Sequence, residues 1–283
     1  MSALETPLCD LLGVRVPIVQ TGMGWVSGAR LTAATCEAGA MGILASATMT
    51  LPELRTAIGK VKDRTANPFG VNLLPNQADL ADRVDLMVAE GVKVASFAGA
   101  PAADVVARLR DAGLVTIVTV GAKRHAEKMV KIGVSALIAQ GGEGGGHTGA
   151  VPTSILLPQV LDAVKVPVVA AGGFSDGRGL VAALAWGAAG IAMGTRFLLT
   201  TDSPVPRASL DRYLATKDPT VIKVSTAVDG LPQRFIWNEE LKRLETMSLA
   251  ARLAMSARYA RHWGRQAGLG AAAMAKLALK LAT

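Results

Sequence analysis

The stretch Val166-Pro167-Val168-Val169-Ala170-Ala171-Gly172-Gly173 is apolar from end to end and stops at a pair of glycines. A strand with one face in water alternates apolar with polar residues. A strand covered on both faces by helices does not, and this run reads as the second kind. Seven further runs share its character: Ile18 to Gln20, Gly42 to Ala45, Phe69 to Asn72, Val92 to Phe97, Val115 to Val120, Ala136 to Gln140 and Ile191 to Gly194. Between them lie stretches with helical spacing, such as Leu54, Ile58, Val61 and Leu80, Val84, Met87. Their ends carry matching signals. Thr50 and Glu53 are spaced as a capping box, Pro101 suits a first turn, and Gly39, Gly91, Gly113 and Gly133 stand where a left-handed residue after a helix is wanted.

Eight such units predict an α/β fold, a (β/α)8 TIM barrel over residues 1–201. An open doubly wound sheet uses the same unit, and the pattern alone favours the barrel only modestly. From residue 202 the pattern changes to a helical stretch, a β-prone piece from Val221 to Val228 with a turn at Asp229-Gly230, and a long Ala-rich tail broken near Gly264 to Gly270. Residues 202–283 are therefore expected to form a C-terminal extension, mostly helical, packing on the barrel or on a partner subunit of a homo-oligomer.

The 283 residues carry a formal charge of +8, and the charge is concentrated. From Lys242 onward there are eight basic residues against Glu245 alone, so the remainder is nearly neutral. This tail offers only Tyr259 and Trp263 as aromatic surfaces, which argues against stacked bases and a nucleic-acid partner. Cys9 and Cys36 are too few and too far apart for a metal clasp or a disulfide framework. Apolar runs stay well short of the ~20 residues of a membrane span, and the N-terminal stretch, with Glu5 and Asp10, is no secretion signal. A cytoplasmic location is expected.

In a barrel the reacting groups come from loops after the strands. Strand 1 is followed by Thr21-Gly22-Met23-Gly24-Trp25, and strand 3 ends in Asn72. Strand 6 runs into Gln140-Gly141-Gly142-Glu143-Gly144-Gly145-Gly146-His147-Thr148-Gly149. Strands 7 and 8 lead into Gly172-Gly173 and Gly194-Thr195-Arg196, where such barrels often bind a phosphate through backbone N–H groups. His125 and His262 sit in solvated surroundings. His147 differs, because it closes a glycine run whose backbone freedom is costly unless something approaches closely. Glu143 is a candidate partner for it, or simply a solvated carboxylate. Met23 and Trp25 line the ligand or pack the barrel end.

These residues resemble the nitronate monooxygenase family, formerly the 2-nitropropane dioxygenases, and are similar to flavin-dependent enoyl-acyl-carrier-protein reductases of the same superfamily. The likeness covers about Pro17 to Thr201. The run Gln140 to Gly149 follows the family's Gln-Gly-x-Glu-Ala-Gly-Gly-His-x-Gly, with Gly144 in place of Ala. The resemblance implies an FMN cofactor, with Gly22, Met23 and Gly24 bordering the ring system, Asn72 and Gln140 hydrogen-bonding it and Gly145 lying along it. It implies that Gly172, Gly173, Gly194 and Thr195 hold the phosphate, and that His147 is the catalytic acid or base. The substrate implied is a small molecule, with NAD(P)H admitted as electron donor. The Gly-Met-Gly-Trp start and the Gly-Gly-Gly-His-Thr-Gly run are closer to a subgroup associated with steroid-ring breakdown, which acts on coenzyme A thioesters. The readings are thus an FMN oxidoreductase of nitronate monooxygenase type, a reductase or dehydrogenase of an acyl-CoA or enoyl thioester, or a non-catalytic flavin-binding protein.

Overall fold

In the computed structural model, which describes residues 4–248, 250–251 and 254–257, eight parallel strands close on themselves. They are β1 (Ile18–Gln20), β2 (Met41–Ala45), β3 (Gly70–Leu73), β4 (Val94–Phe97), β5 (Val115–Val120), β6 (Ala136–Gln140), and, after a short β7 (Gly146–His147) that pairs elsewhere, β8 (Val168–Ala171) and β9 (Gly190–Met193). β9 pairs with β1 through Val19 and Ala192, so the sheet has no edge and the barrel is realised in place of the open sheet.

The pleat sorts each apolar run into two cores. Val19, Met41, Ile43, Val94, Ile117, Ile138 and Val169 fill the barrel interior. Leu44, Val71, Ala95, Val118, Leu137 and Ala170 face outward and join helical residues such as Leu54, Ile58, Val84, Met87, Leu109 and Leu157. A residue at either kind of position is covered on all sides, which is why alternation is missing from the sequence. Truncating one of the buried leucines, such as Leu54, to alanine costs about 2–5 kcal/mol.

The covering helices are α2 (Ala29–Glu37), α3 (Leu51–Lys62), α4 (Leu80–Ala89), α5 (Ala103–Asp111), α6 (Lys123–Lys131), α7 (Thr153–Ala163), α8 (Gly177–Ala185) and the one-turn α9 (Thr195–Leu198). α1 (Pro7–Leu12) precedes the barrel and closes its lower end. Leu8 and Leu12 join the interior core, and Leu8 lies so close to the first residue of β9 that a Cβ on Gly190 would come within 2.8 Å of it. The Thr50–Glu53 capping box forms, and Gly39, Gly91, Gly113 and Gly133 all take positive φ after their helices. Pro101 departs from expectation: α5 begins at Ala103 behind an Ala102 cap, so the proline lies just before the helix.

One compact unit comprises Met1–Gly144 and Gly149–Asp211, and a second comprises Gly145–Thr148 and Arg212–Thr283. α10 (Arg207–Ala215) carries the chain from one to the other. The second unit holds a three-stranded antiparallel sheet in the order β10 (Ile222–Ser225), β11 (Gln233–Ile236), β7. The single β-prone piece expected from Val221 to Val228 is thus the first arm of a hairpin. Its turn contains Asp229 and Gly230, the latter at φ 83°. α11 (Glu239–Thr246) follows, its N-terminus capped by the Asn238 side chain, which accepts from Leu241 N–H. The expected helix break near Gly264 to Gly270, and most of the basic tail, lie outside the described residues. Among the described residues no helix is long and apolar enough to cross a membrane.

Candidate functional site

Register decides which loop residues face the top of the barrel. Asn72 pairs with Ser96, which pairs with the interior residue Ile117, so Asn72 and Ser96 share the inward row. Gln140 pairs with Ala171, itself interior and paired with Ala192, so Gln140 also points inward at the end of its strand. The interior is therefore apolar in its lower layers and carries two amides at its upper rim. Asn72 is buried, and its Nδ2 donates to Ser96 O at 3.2 Å.

The glycines packed around this rim are required by contact. A Cβ on Gly22 would stand 2.4 Å from Asn72 Cβ, and one on Gly194 would meet Thr21 Oγ1 at 3.1 Å and Met23 Sδ at 3.3 Å. Gly24 leaves the same narrow clearance to Thr48. The loops after β1, β2, β3 and β9 are thus brought together at one end of the barrel. On the far side, Gly172 at φ 99° and Gly173 at φ 82° bring the loop after β8 against Gly141 and Glu143. The backbone N–H groups of Gly172, Gly173, Gly194 and Thr195 find no acceptor among the described residues.

Glu143, a candidate partner of His147 in the sequence, caps α7: its carboxylate accepts from Thr153 N–H at 3.0 Å and from Thr153 Oγ1 at 2.8 Å. Thr153 also reaches Gly172 O at 3.1 Å. This threonine, which drew no attention as a sequence feature, ties the glycine run after β6 to the loop after β8. A Cβ on Gly141 would lie 2.1 Å from its hydroxyl oxygen, so the run can pass only as glycine there.

Gly145 and His147 belong to the second unit. There His147 is an edge-strand residue opposite Gln233, and its Nε2 lies 2.8 Å from Asp229 Oδ2. The other carboxylate oxygen of Asp229 accepts from Leu231 N–H at 3.0 Å. Burial pushes the Asp229 carboxyl up, but hydrogen bonds from Leu231 N–H, Gln233 and His147 outweigh it and hold the group below the usual carboxylate range. An ionised Asp229 fixes the imidazole's orientation through this contact. Asp229 was legible only as a turn residue. Among the described residues no cluster of His, Cys, Asp and Glu suits a metal ion.

A family profile described as nitronate monooxygenase matches residues 5–86 and 81–279, nearly the whole chain. The chain belongs to the nitronate monooxygenase family. A Mycobacterium tuberculosis protein named (3aS,4S,5R,7aS)-5-hydroxy-7a-methyl-1-oxo-octahydro-1H-indene-4-carboxyl-CoA dehydrogenase is 59% identical over 91% of this chain and 73% of its own length. Among solved structures, FabK from Thermotoga maritima superposes with a TM-score of 0.82 at 33% identity, covering 91% of this chain and 85% of that one. Nitroalkane oxidase from Streptomyces ansochromogenes superposes with a TM-score of 0.76 at 34% identity, covering 83% and 80%. As a member of the nitronate monooxygenase family the chain is an oxidoreductase that works with a flavin and acts on a small molecule.

Proposed function

We propose that this chain is an FMN-dependent dehydrogenase of a coenzyme A thioester carrying a hydroxylated ring system, with His147 as its acid–base residue, working in the cytoplasm. The observation that carries the substrate class is the 59% identity to a relative whose name is that of a hydroxylated bicyclic carboxyl-CoA dehydrogenase. At this level, nearly twice the identity to the nitroalkane oxidase, the thioester reading is preferred over nitronate chemistry.

The residues at the barrel rim suit a flavin mononucleotide. Gly172, Gly173, Gly194 and Thr195 offer amides without acceptors, as a compact phosphate needs. Asn72 and Gln140 supply amide hydrogen-bonding groups from the inward rows of β3 and β6. Gly22 and Gly24, with Met23 between them, remove side-chain bulk where a flat ring system would lie. When bound, the flavin accepts the hydride.

Oxidation of a secondary alcohol removes one hydride from carbon and one proton from oxygen. His147 takes that proton on its ring, and the Asp229 carboxylate stabilises the imidazolium that results. In the reductive direction the same group returns the proton. In the reductive direction NAD(P)H is the electron donor; in the oxidative direction the reduced flavin passes its two electrons to an acceptor such as NAD(P)+ or oxygen.

The test is direct. Flavin released from purified protein by heat is identified by chromatography, and turnover is then compared for the hydroxy-indane-carboxyl-CoA substrate and for a nitronate. FMN and a kcat/KM at least tenfold higher for the thioester are expected. FAD, or a preference for the nitronate, refutes the proposal.

A further inference from the structure

Among the described residues, Trp25 is the one non-glycine with positive φ, 59°, and its indole is 82% exposed. A bulky residue in that backbone region is strained, and an exposed tryptophan gains little from burial in return. The strain persists because Ser27 holds the turn from several sides. Its buried hydroxyl accepts from Met23 N–H and Gln20 Nε2, both at 2.9 Å, and donates to Thr21 O at 2.9 Å, while Ser27 N–H donates to Met23 O at 2.8 Å. The turn is built to present the indole outward.

The indole borders a cavity of about 550 Å³, the volume of a small-molecule site. It begins at the rim, at Trp25 and at Thr48 and Met49 after β2, and continues along α3 past Pro52, Glu53, Thr56 and Ala57 to Lys60, the Glu53 carboxylate being engaged by Thr50 N–H in the capping box. Eight residues of helix separate Pro52 from Lys60, a run of about 12 Å. The channel is therefore long, mostly apolar and ended by a cation. Arg55 and Lys62 of the same helix are both paired with Glu90, whereas Lys60 makes no ion pair among the described residues.

We propose that this groove holds the pantetheine arm of a coenzyme A thioester, with the Trp25 indole against the arm near its thioester end and Lys60 meeting the CoA phosphates. The proposal rests on the thioester reading above and adds to it a site on the outer side of β2 and α3. A flexible arm with apolar methyl groups, two amides and a phosphate terminus matches a channel that is mostly apolar, carries the hydroxyls of Thr48 and Thr56 along it and has Lys60 at its end.

The test uses the full-length holoenzyme, with the CoA thioester and the N-acetylcysteamine thioester of the same acid as substrates. Lys60→Glu is expected to raise KM for the CoA thioester by about fivefold, the upper range for one exposed charge contact, with the effect shrinking at high salt. KM for the truncated thioester, which has no phosphate, should stay unchanged. Trp25→Gly relieves the backbone strain, so it should keep the fold and raise KM for both substrates with little change in kcat. Unchanged KM values in both variants, in an enzyme that does turn over the CoA thioester, overturn the groove alone. A wild-type enzyme that accepts neither thioester overturns the function reading and the groove with it.

Discussion

His147 and Asp229 stand 82 positions apart in the chain, yet Nε2 of one lies 2.8 Å from Oδ2 of the other. Removing the imidazole with His147→Ala is expected to leave flavin content near that of the wild type and to lower kcat by about 10²-fold or more, the range for loss of one acid–base group. Absorbance of the purified variant gives the first quantity and steady-state turnover the second. Loss of the flavin would make the residue a support of its loop.

Asp229→Asn keeps the shape of the turn but removes the charge that orients the ring. A fall in kcat smaller than for His147→Ala is expected, with KM little changed, because the ring is no longer held by a carboxylate. An unchanged kcat would detach Asp229 from the chemistry.

Asp229 also links folding to pH. Its carboxyl is held below the usual range, so its contribution is present above the ordinary carboxylate pKa of about 4 and is lost as pH falls through the lower native value. Denaturant midpoints of wild type and Asp229→Asn should therefore differ at pH 7 and converge toward pH 3.

Arg83 is buried, and its guanidinium donates to Asp79 Oδ1 at 2.7 Å, to Ser46 O at 2.9 Å and to Met49 O at 2.6 Å. It pins the loop after β2 on which Thr48 and Met49 stand. Arg83→Met strips two carbonyls of their donor and is expected to cost about 2–4 kcal/mol, read as a lowered Tm, with KM for the thioester rising as the loop loosens.

Burial pushes the Cys36 thiol up to about 11, an effect softened by a hydrogen bond from the Gly42 backbone and reinforced by nearby Glu37. Iodoacetamide at pH 7.5 should leave Cys36 untouched in the native protein and modify it after denaturation, with mass spectrometry of the peptide as the readout.

The barrel was legible because burial on both faces leaves a local mark: Val115 to Val120 or Ala136 to Gln140 can be recognised without knowing its neighbours. The glycine contacts were half legible. The run Gly141 to Gly146 announced a close approach, but Thr153, which makes glycine obligatory at 141, looked like any residue at a helix start. β7 left no mark, being two exposed residues, Gly146 and His147, whose strand character comes wholly from pairing with β11. Asp229 was hidden for the same reason. A turn aspartate carries its own local explanation, and nothing near it in sequence points to a histidine on the other side of three strands and their helices.

Strand β7 also has a consequence for how the protein is made. A nascent chain emerging from the ribosome exposes the barrel's eight strands before the residues of β11 exist, so His147 waits through the synthesis of more than eighty residues for the partners that hold it. A product ending between Thr195 and Asp229 would carry the barrel strands and the glycine loops but an imidazole without the carboxylate that orients it. The pairing of His147 with Asp229 therefore forms only after the barrel has all its strands.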